Sequence, residues 1–150
     1  MGRNKKSRQN TLYQQGFRGR QSKHLPHHLT LDNFPVAQEE QLKTLLAETA
    51  VRPAFPVTFS HAGVFPEAKV LFAAPDCSRE LLALKEVFGP SRGWTPHATM
   101  LIDEPEAVYR ALPVLMEHFL PFDGTVARLY LYEFFPVRHI LTVPLLYAAK

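Results

Sequence analysis

The sequence predicts a mixed α+β fold in which short strands and helices alternate within one domain. Turn-forming residues divide the chain into short segments, and the apolar residues of each segment recur at either the helical or the strand period. The predicted order of strand, helix and strands also occurs twice. Each half opens on a His-x-Thr tripeptide, "HLT" from His28 and "HAT" from His97, and the two histidines are 69 residues apart. We therefore expect a duplicated architecture.

Composition places the chain among ordinary single-domain proteins. Its 150 residues are 46% hydrophobic and 21% charged, enough to bury a substantial core. No apolar run approaches the roughly 18 to 20 residues that span a bilayer, and the first thirty residues lack the apolar stretch of a secretory signal. The single cysteine, Cys77, forms no internal disulfide or thiolate zinc site by itself. We expect a cytoplasmic monomer without a membrane partner.

Charge is distributed unevenly along the chain. The first 31 residues contain seven basic residues and no acidic one, whereas the remainder carries ten Lys and Arg against fourteen Asp and Glu. We predict a basic, flexible leader at residues 1–23 and one domain at residues 24–150. The leader either follows a nucleic-acid phosphate backbone or is a solvated terminus. Its basic residues are Arg3, Lys5, Lys6, Arg8, Arg18, Arg20 and Lys23.

In the first half, the spacing of apolar residues and the positions of turn residues predict two units of strand and helix. Residues 29–34 are predicted to form a strand, and residues 37–50 a helix with its apolar residues at helical spacing. Phe55, Val57 and Phe59 alternate with smaller or polar residues as in a half-buried strand, after which Gly63 is predicted to turn the chain. A strand over residues 69–73 and a helix over residues 78–88 follow.

The second half repeats this order. Residues 97–102 are predicted to form a strand and residues 104–119 a helix. Two further strands are predicted over residues 126–134 and 138–145. Both His-x-Thr tripeptides therefore open a strand that runs into a helix.

Strand periodicity indicates which side chains of each tripeptide are available for chemistry. Side chains alternate between the two faces of a strand, which puts His97 and Thr99 on the face of Leu101. The opposite, core-facing set is Ala98, Met100 and Ile102. By the same alternation, His28 and Thr30 share one face of their strand and Leu29 and Leu31 the other.

Two imidazoles and two hydroxyls in one cleft suit phosphoryl chemistry. Imidazole, with an unperturbed pKa of about 6.5, takes or gives a proton near neutral pH, so a pair can act as base and acid in one displacement. Threonine hydroxyls can donate hydrogen bonds to non-bridging phosphate oxygens. This design requires no metal and no other cofactor. A metal site on His24, His27 and His28 is the less favoured alternative, because cysteines and a nearby carboxylate pair are lacking.

The segments "LPHHLTL" and "WTPHATMLI" resemble the paired H-x-[ST]-x motifs of the 2H phosphoesterase superfamily, in particular its bacterial 2′-5′ RNA ligase and RNA 2′,3′-cyclic phosphodiesterase branch. The resemblance extends over residues 25–146 and includes "FDGTVARLYLYEF". It implies a two-lobed, pseudo-symmetric fold with antiparallel sheets lining a central cleft and helices outside. It also implies metal-independent cleavage of 2′,3′-cyclic or 2′-5′ phosphodiester bonds in RNA or nucleotides. Carried over to this sequence, the catalytic residues are His28, Thr30, His97 and Thr99.

The sequence departs from the family pattern at its beginning. Family members usually start with an apolar strand and a helix, whereas only a polar leader precedes His28 here. We expect either a lobe without one edge strand or a truncated start.

Arg128, Tyr130 and Tyr132 are candidate substrate-binding residues. They share one face of their predicted strand if Leu129 and Leu131 are buried. Aromatic rings stack on bases and arginine pairs with phosphate, although tyrosines that only pack at the surface would give the same pattern.

Three functions are compatible with these residues. The first is the phosphoesterase acting on RNA or nucleotides, with His97 as base and His28 as acid. The second is a non-catalytic RNA-binding module of the same fold that uses the basic leader. The third is a phosphoesterase for a small nucleotide or sugar cyclic phosphate.

Overall fold

The computed structural model describes most of the chain beyond its first 26 residues. The described residues are Leu12, 15–17, Gly19, Leu25, 27–65, Glu67 and 69–146. The predicted leader lies mostly outside them, as do all seven of its basic residues. Two described residues from this part of the chain contact the body. Leu12 is buried in the hydrophobic core, and Phe17 packs against that core.

From the first helix to the third, helices and strands follow each other in the predicted order. A 3₁₀ turn (Val36–Gln38) leads into α1 (Glu39–Thr49), β1 (Phe55–Phe65), β2 (Val70–Pro75), α2 (Arg79–Phe88), β3 (Ala98–Ile102), α3 (Pro105–His118), β4 (Phe122–Val126), β5 (Arg128–Glu133) and β6 (Arg138–Pro144). The Ser78 hydroxyl accepts a hydrogen bond from the Leu81 amide and so caps α2. None of the helices in the described part of the chain has the length and apolar character needed to span a membrane.

The strands form two antiparallel sheets. The first has the order β3-β2-β1-β4, and the second is the hairpin β5-β6. The chain passes from one sheet to the other at Ala127, between β4 and β5. Arg138 of the hairpin contacts Glu133 of β5 and, at 2.9 Å, Glu39 of α1. The predicted α+β class with antiparallel sheets is confirmed.

The four-stranded sheet has one face in the core and one face turned away from it. Leu71 and Ala73 of β2 belong to the same buried cluster as Val108, Ala111 and Leu115 of α3. This helix therefore covers the core face. Phe72 is paired with Gly63 on one side and Thr99 on the other, and paired residues share a face. The opposite face consequently carries the second His-x-Thr motif, and we call it the motif face.

The strand predicted over residues 29–34 is absent, and this prediction is wrong. Residues 28–35 have no helix or strand assignment. Residues of this segment and of β5 line one cavity of about 580 Å³, and the backbone ladder of β5 is formed with β6. Leu29 and Leu31 of the segment still pack against the core.

Two other predictions also need correction. Gly63 lies inside β1 and does not turn the chain. A Cβ atom there would lie 2.6 Å from the ring of Phe72, so the glycine makes room for that ring on the motif face. The single strand predicted over residues 126–134 is instead the end of β4 followed by β5, in different sheets.

Candidate active site

The second motif lies on the motif face at a β-bulge. Thr99 pairs with Phe72 and Leu101 with Leu71, which leaves Met100 as an extra residue of β3. The bulge shifts the alternation of side chains, so Met100 and Leu101 are both buried. The prediction that Leu101 shares a face with Thr99 is therefore wrong. His97, which directly precedes β3, and Thr99 remain half-buried.

The ring of His97 is held by a hydrogen bond and by two aromatic side chains. Its Nδ1 lies 2.9 Å from the carbonyl oxygen of Thr95, and its ring centroid is 4.9 Å from Phe65 and 5.4 Å from Phe72. A carbonyl oxygen only accepts hydrogen bonds, so Nδ1 carries the hydrogen. In the neutral ring Nε2 is then the atom with a free lone pair, and it can accept a proton.

The first motif lines the 580 Å³ cavity described above, which we call the first cleft. His28 and Thr30 line this cleft together with Arg128, Tyr130 and Tyr132. Leu129, between the candidate binding residues, is buried in the core, as alternation along β5 predicts. The rings of Tyr130 and Tyr132 lie 6.2 Å apart. The structure thus brings the first motif and all three candidate binding residues to one cavity.

A smaller cavity of about 310 Å³, the second cleft, brings the two motifs together. Thr30 and His97 both line it, as does the guanidinium-bearing Arg92. Residues 30–33 line both clefts, so the first-motif segment is shared between them. His28 is found among the residues of the first cleft, whereas Thr99, two residues beyond His97, is found among those of neither.

A partly buried ion pair lines the second cleft. The Nζ atom of Lys85, whose side chain is only 4% exposed, lies 3.0 Å from Oδ2 of Asp32, whose side chain is 34% exposed. Burial raises the pKa of the Asp32 carboxyl, but the Asn33 amide and the Lys85 ammonium lower it, and the net pKa lies below its ordinary value. Asp32 is therefore held in its charged form directly after the first motif.

Sequence reasoning missed four residues of these clefts. Lys85 follows the buried Leu81 by one helical turn, and this spacing could have indicated that Lys85 is buried too. Phe134 lines the first cleft, and its place two residues after Tyr132 continues the strand period. Arg92 and Trp94 have no such local signal, because only the tertiary structure places their loop against the first motif.

The described residues contain no group of side chains that could bind a metal ion. Within residues 27–65 and 69–146, and at the few described positions before them, no three His, Cys, Asp or Glu side chains are grouped closely enough to hold one. His24 of the alternative metal site lies outside the described residues.

Comparison with known proteins decides the family. The profile of the 2′-5′ RNA ligase superfamily matches residues 8–134. The chain belongs to this superfamily. The predicted membership of the 2H phosphoesterase superfamily is thereby confirmed. A search of curated protein sequences gave no match.

Solved structures of the same superfamily fold cover nearly the whole chain. The apo form of Escherichia coli LigT has 22% sequence identity and a TM-score of 0.65, with 96% of this chain and 92% of LigT covered. LigT complexed with ATP has 24% identity and a TM-score of 0.60, over 95% and 92% of the two chains. LigT complexed with 3′-AMP has 20% identity and a TM-score of 0.63, over 93% and 91%. At identities of 20 to 24%, these similarities show that the chain has the same fold as LigT.

Proposed function

We propose that this protein hydrolyses 2′,3′-cyclic phosphate or 2′-5′ phosphodiester bonds in RNA or nucleotides, with His28 and His97 as an acid–base pair. The observation that carries the proposal is that Thr30 of the first motif and His97 of the second line the same cleft in a 2′-5′ RNA ligase superfamily member. The complexes of LigT with ATP and 3′-AMP support a ligand of nucleotide size for the related fold.

The reaction is a displacement at phosphorus with two proton transfers. Nε2 of His97 takes a proton from water as the water oxygen bonds to phosphorus. His28 gives its proton to the ribose oxygen whose bond to phosphorus breaks. His97 ends protonated and His28 neutral, and proton exchange with solvent restores both. Two imidazoles thus supply both transfers without a metal ion.

Neighbouring residues have binding roles in this proposal. The hydroxyls of Thr30 and Thr99 donate hydrogen bonds to the non-bridging phosphate oxygens, where charge builds up in the transition state. Arg128 pairs with phosphate, and the rings of Tyr130 and Tyr132 stack on bases. Arg92, in the second cleft beside His97, adds a second guanidinium that can contact a phosphate oxygen.

The test is turnover of a short RNA that ends in a 2′,3′-cyclic phosphate. We expect His28→Ala and His97→Ala each to lower kcat/KM by about 10² to 10⁴. His118→Ala is the matched control, because His118 is an exposed histidine at the end of α3, the helix on the core face of the sheet. It should retain the wild-type rate.

Wild-type rates in the His28→Ala, His97→Ala double variant would refute the proposal. RNA binding without turnover in the wild-type protein would instead favour the non-catalytic RNA-binding module. Turnover restricted to mononucleotides would favour the small cyclic phosphate as substrate.

A further inference from the structure

The two motif segments are connected by a side chain that belongs to neither motif. The indole Nε1–H of Trp94 donates a hydrogen bond to the backbone carbonyl of Thr30 over 3.1 Å. Trp94 precedes His97 by three residues, so this bond joins the approach to the second motif directly to the first motif. The bond acts on the backbone of Thr30 and leaves its hydroxyl available to a ligand.

A second connection runs through the partly buried ion pair. Lys85 contacts Asp32 through its Nζ atom, and the same atom lies 5.9 Å from the centroid of the Trp94 ring. The ammonium is therefore between the segment after the first motif and the loop before the second. Residues 85, 32 and 94 thus form one contiguous cluster, which we call the clamp.

The residue that follows α2 leaves room for Asp32. Gly89 has a φ of +155°, and a Cβ atom there would lie 2.7 Å from Oδ2 of Asp32. A larger residue would displace the carboxylate from Lys85. This close approach makes Gly89 part of the fit between the clamp and the end of the helix.

The clamp holds the first-motif segment in position, as strand pairing holds the second motif. The second motif is positioned by the β2–β3 ladder, whereas residues 28–35 carry no strand assignment. Side-chain contacts therefore have to set the position of Thr30 relative to His97. A misplacement of about 1 Å can lower an enzymatic rate by about a hundredfold, so such contacts bear directly on catalysis.

We propose that Lys85, Asp32 and Trp94 position Thr30 against His97, so that Lys85 and Asp32 are positioning residues for phosphoester cleavage. This inference rests on the proposed function. Neither residue transfers a proton in it. Their effect should appear in kcat, because they align groups that act in the transition state, and much less in KM.

The experiment is a double-mutant cycle in the full chain, with Lys85→Met, Asp32→Asn and the double variant. With RNA ending in a 2′,3′-cyclic phosphate, each single variant should lose about tenfold to a hundredfold in kcat, with KM changed less than about threefold. The double variant should lose little more than either single variant, because both changes break one interaction. Lys85→Arg, which keeps the charge, should restore most of the rate.

The control is the exposed ion pair between Lys69 and Glu104, whose atoms are also 3.0 Å apart. Lys69→Met and Glu104→Gln should leave kcat unchanged. Thermal unfolding of every variant identifies any that fail to fold, and Lys85→Arg keeps the test decisive if Lys85→Met is among them. Wild-type kcat in folded Asp32→Asn, or fully additive losses in the cycle, would overturn the proposal.

Fluorescence separates failure of the clamp from failure of the proposed function. Trp94 is the single tryptophan of the chain, so its emission reports on the clamp without any substrate. Asp32→Asn and Lys85→Met should both shift this emission and increase its quenching by acrylamide, whereas the Lys69 and Glu104 variants should not. Unchanged emission in both clamp variants would refute the proposal that Lys85, Asp32 and Trp94 act as one unit. A protein that turns over no phosphoester but shows the shift would have the clamp and lack the proposed function.

Discussion

At the scale of single residues, the two side chains of the Asp32–Lys85 ion pair differ in their exposure to solvent. The Lys85 side chain is 4% exposed and the Asp32 side chain 34% exposed. Removing the cation leaves a carboxylate that water can still reach. Removing the anion leaves a charged ammonium in the protein interior, and an unpaired buried charge is costly.

We therefore expect Asp32→Ala to destabilise the protein more than Lys85→Met. The first change should lower the free energy of unfolding by about 2 to 3 kcal/mol and the second by about 1 kcal/mol or less. Urea denaturation at pH 7 measures both values. The opposite order would mean that the carboxylate, and not the ammonium, depends on its partner.

The pair also gives stability a defined pH dependence. The pKa of Asp32 is lowered in the folded protein, so the folded state favours the charged carboxylate. The contribution of the charged Asp32 carboxylate to the free energy of unfolding is fully present above its unfolded pKa of about 3.9. It disappears as pH falls through the lower folded pKa. The difference in unfolding free energy between wild type and Asp32→Asn should therefore be constant from pH 7 to 5 and shrink below about pH 4. A difference that stays constant down to pH 3 would contradict this.

At the scale of elements, bulges and one glycine shape the motif face. The bulge at Met100 lets β3 bury two consecutive residues while Thr99 keeps its place beside Phe72. Gly63 of β1 gives the Phe72 ring its space, and that ring in turn contacts His97. The orientation of the proposed base thus depends on a strand two positions away in the sheet.

Gly63→Ala tests this chain of contacts. The new Cβ would lie 2.6 Å from the Phe72 ring, which also contacts the rings of Phe65 and His97. We expect a loss of about 1 to 3 kcal/mol in unfolding free energy, as in other overpacked sites, together with a lower rate of phosphoester cleavage. Adding Phe72→Leu, a smaller side chain, should recover part of the stability. Wild-type stability in Gly63→Ala would show that the ring moves freely.

At the scale of the whole molecule, the first part of the chain contributes to the core. Leu12 is 1% exposed within the main hydrophobic cluster, and the centroid of the Phe17 ring lies 5.7 Å from the guanidinium carbon of Arg110. Truncation at residue 23 would therefore change both core packing and charge. A test of the basic residues has to keep Leu12.

Deletion of residues 1–9 and the substitution Leu12→Ala should separate these effects. The deletion removes four basic residues, so the slope of log affinity for single-stranded RNA against log salt should become shallower by at most about 3. Stability should be unchanged. Leu12→Ala should instead cost about 2 to 4 kcal/mol of unfolding free energy and leave the salt slope unchanged. An unchanged slope after the deletion would show that these residues do not contact phosphate.

The candidate site could be predicted only in part. Alternation along β5 correctly predicts that Leu129 is buried between exposed Arg128 and Tyr130, because period two is a local property of the strand. The same rule fails at Leu101, since one extra residue in the ladder reverses every side chain beyond it. A bulge depends on the partner strand, and a single segment carries little sign of it.

The sequence by itself determined the order of elements from the first helix to the third, the α+β class and the superfamily, because hydrophobic periods and the two His-x-Thr motifs are readable within short segments. Only the tertiary structure decided that Gly63 continues a strand, that residues 28–35 form no strand, and that Trp94 and Lys85 contact Thr30 and Asp32. The contacts of Trp94 and Lys85 with this segment join residues more than fifty positions apart, and Gly63 stays in its strand because it pairs with Phe72 of the neighbouring strand. Local periodicity carries no information about such contacts, whereas the packing of the folded chain selects them.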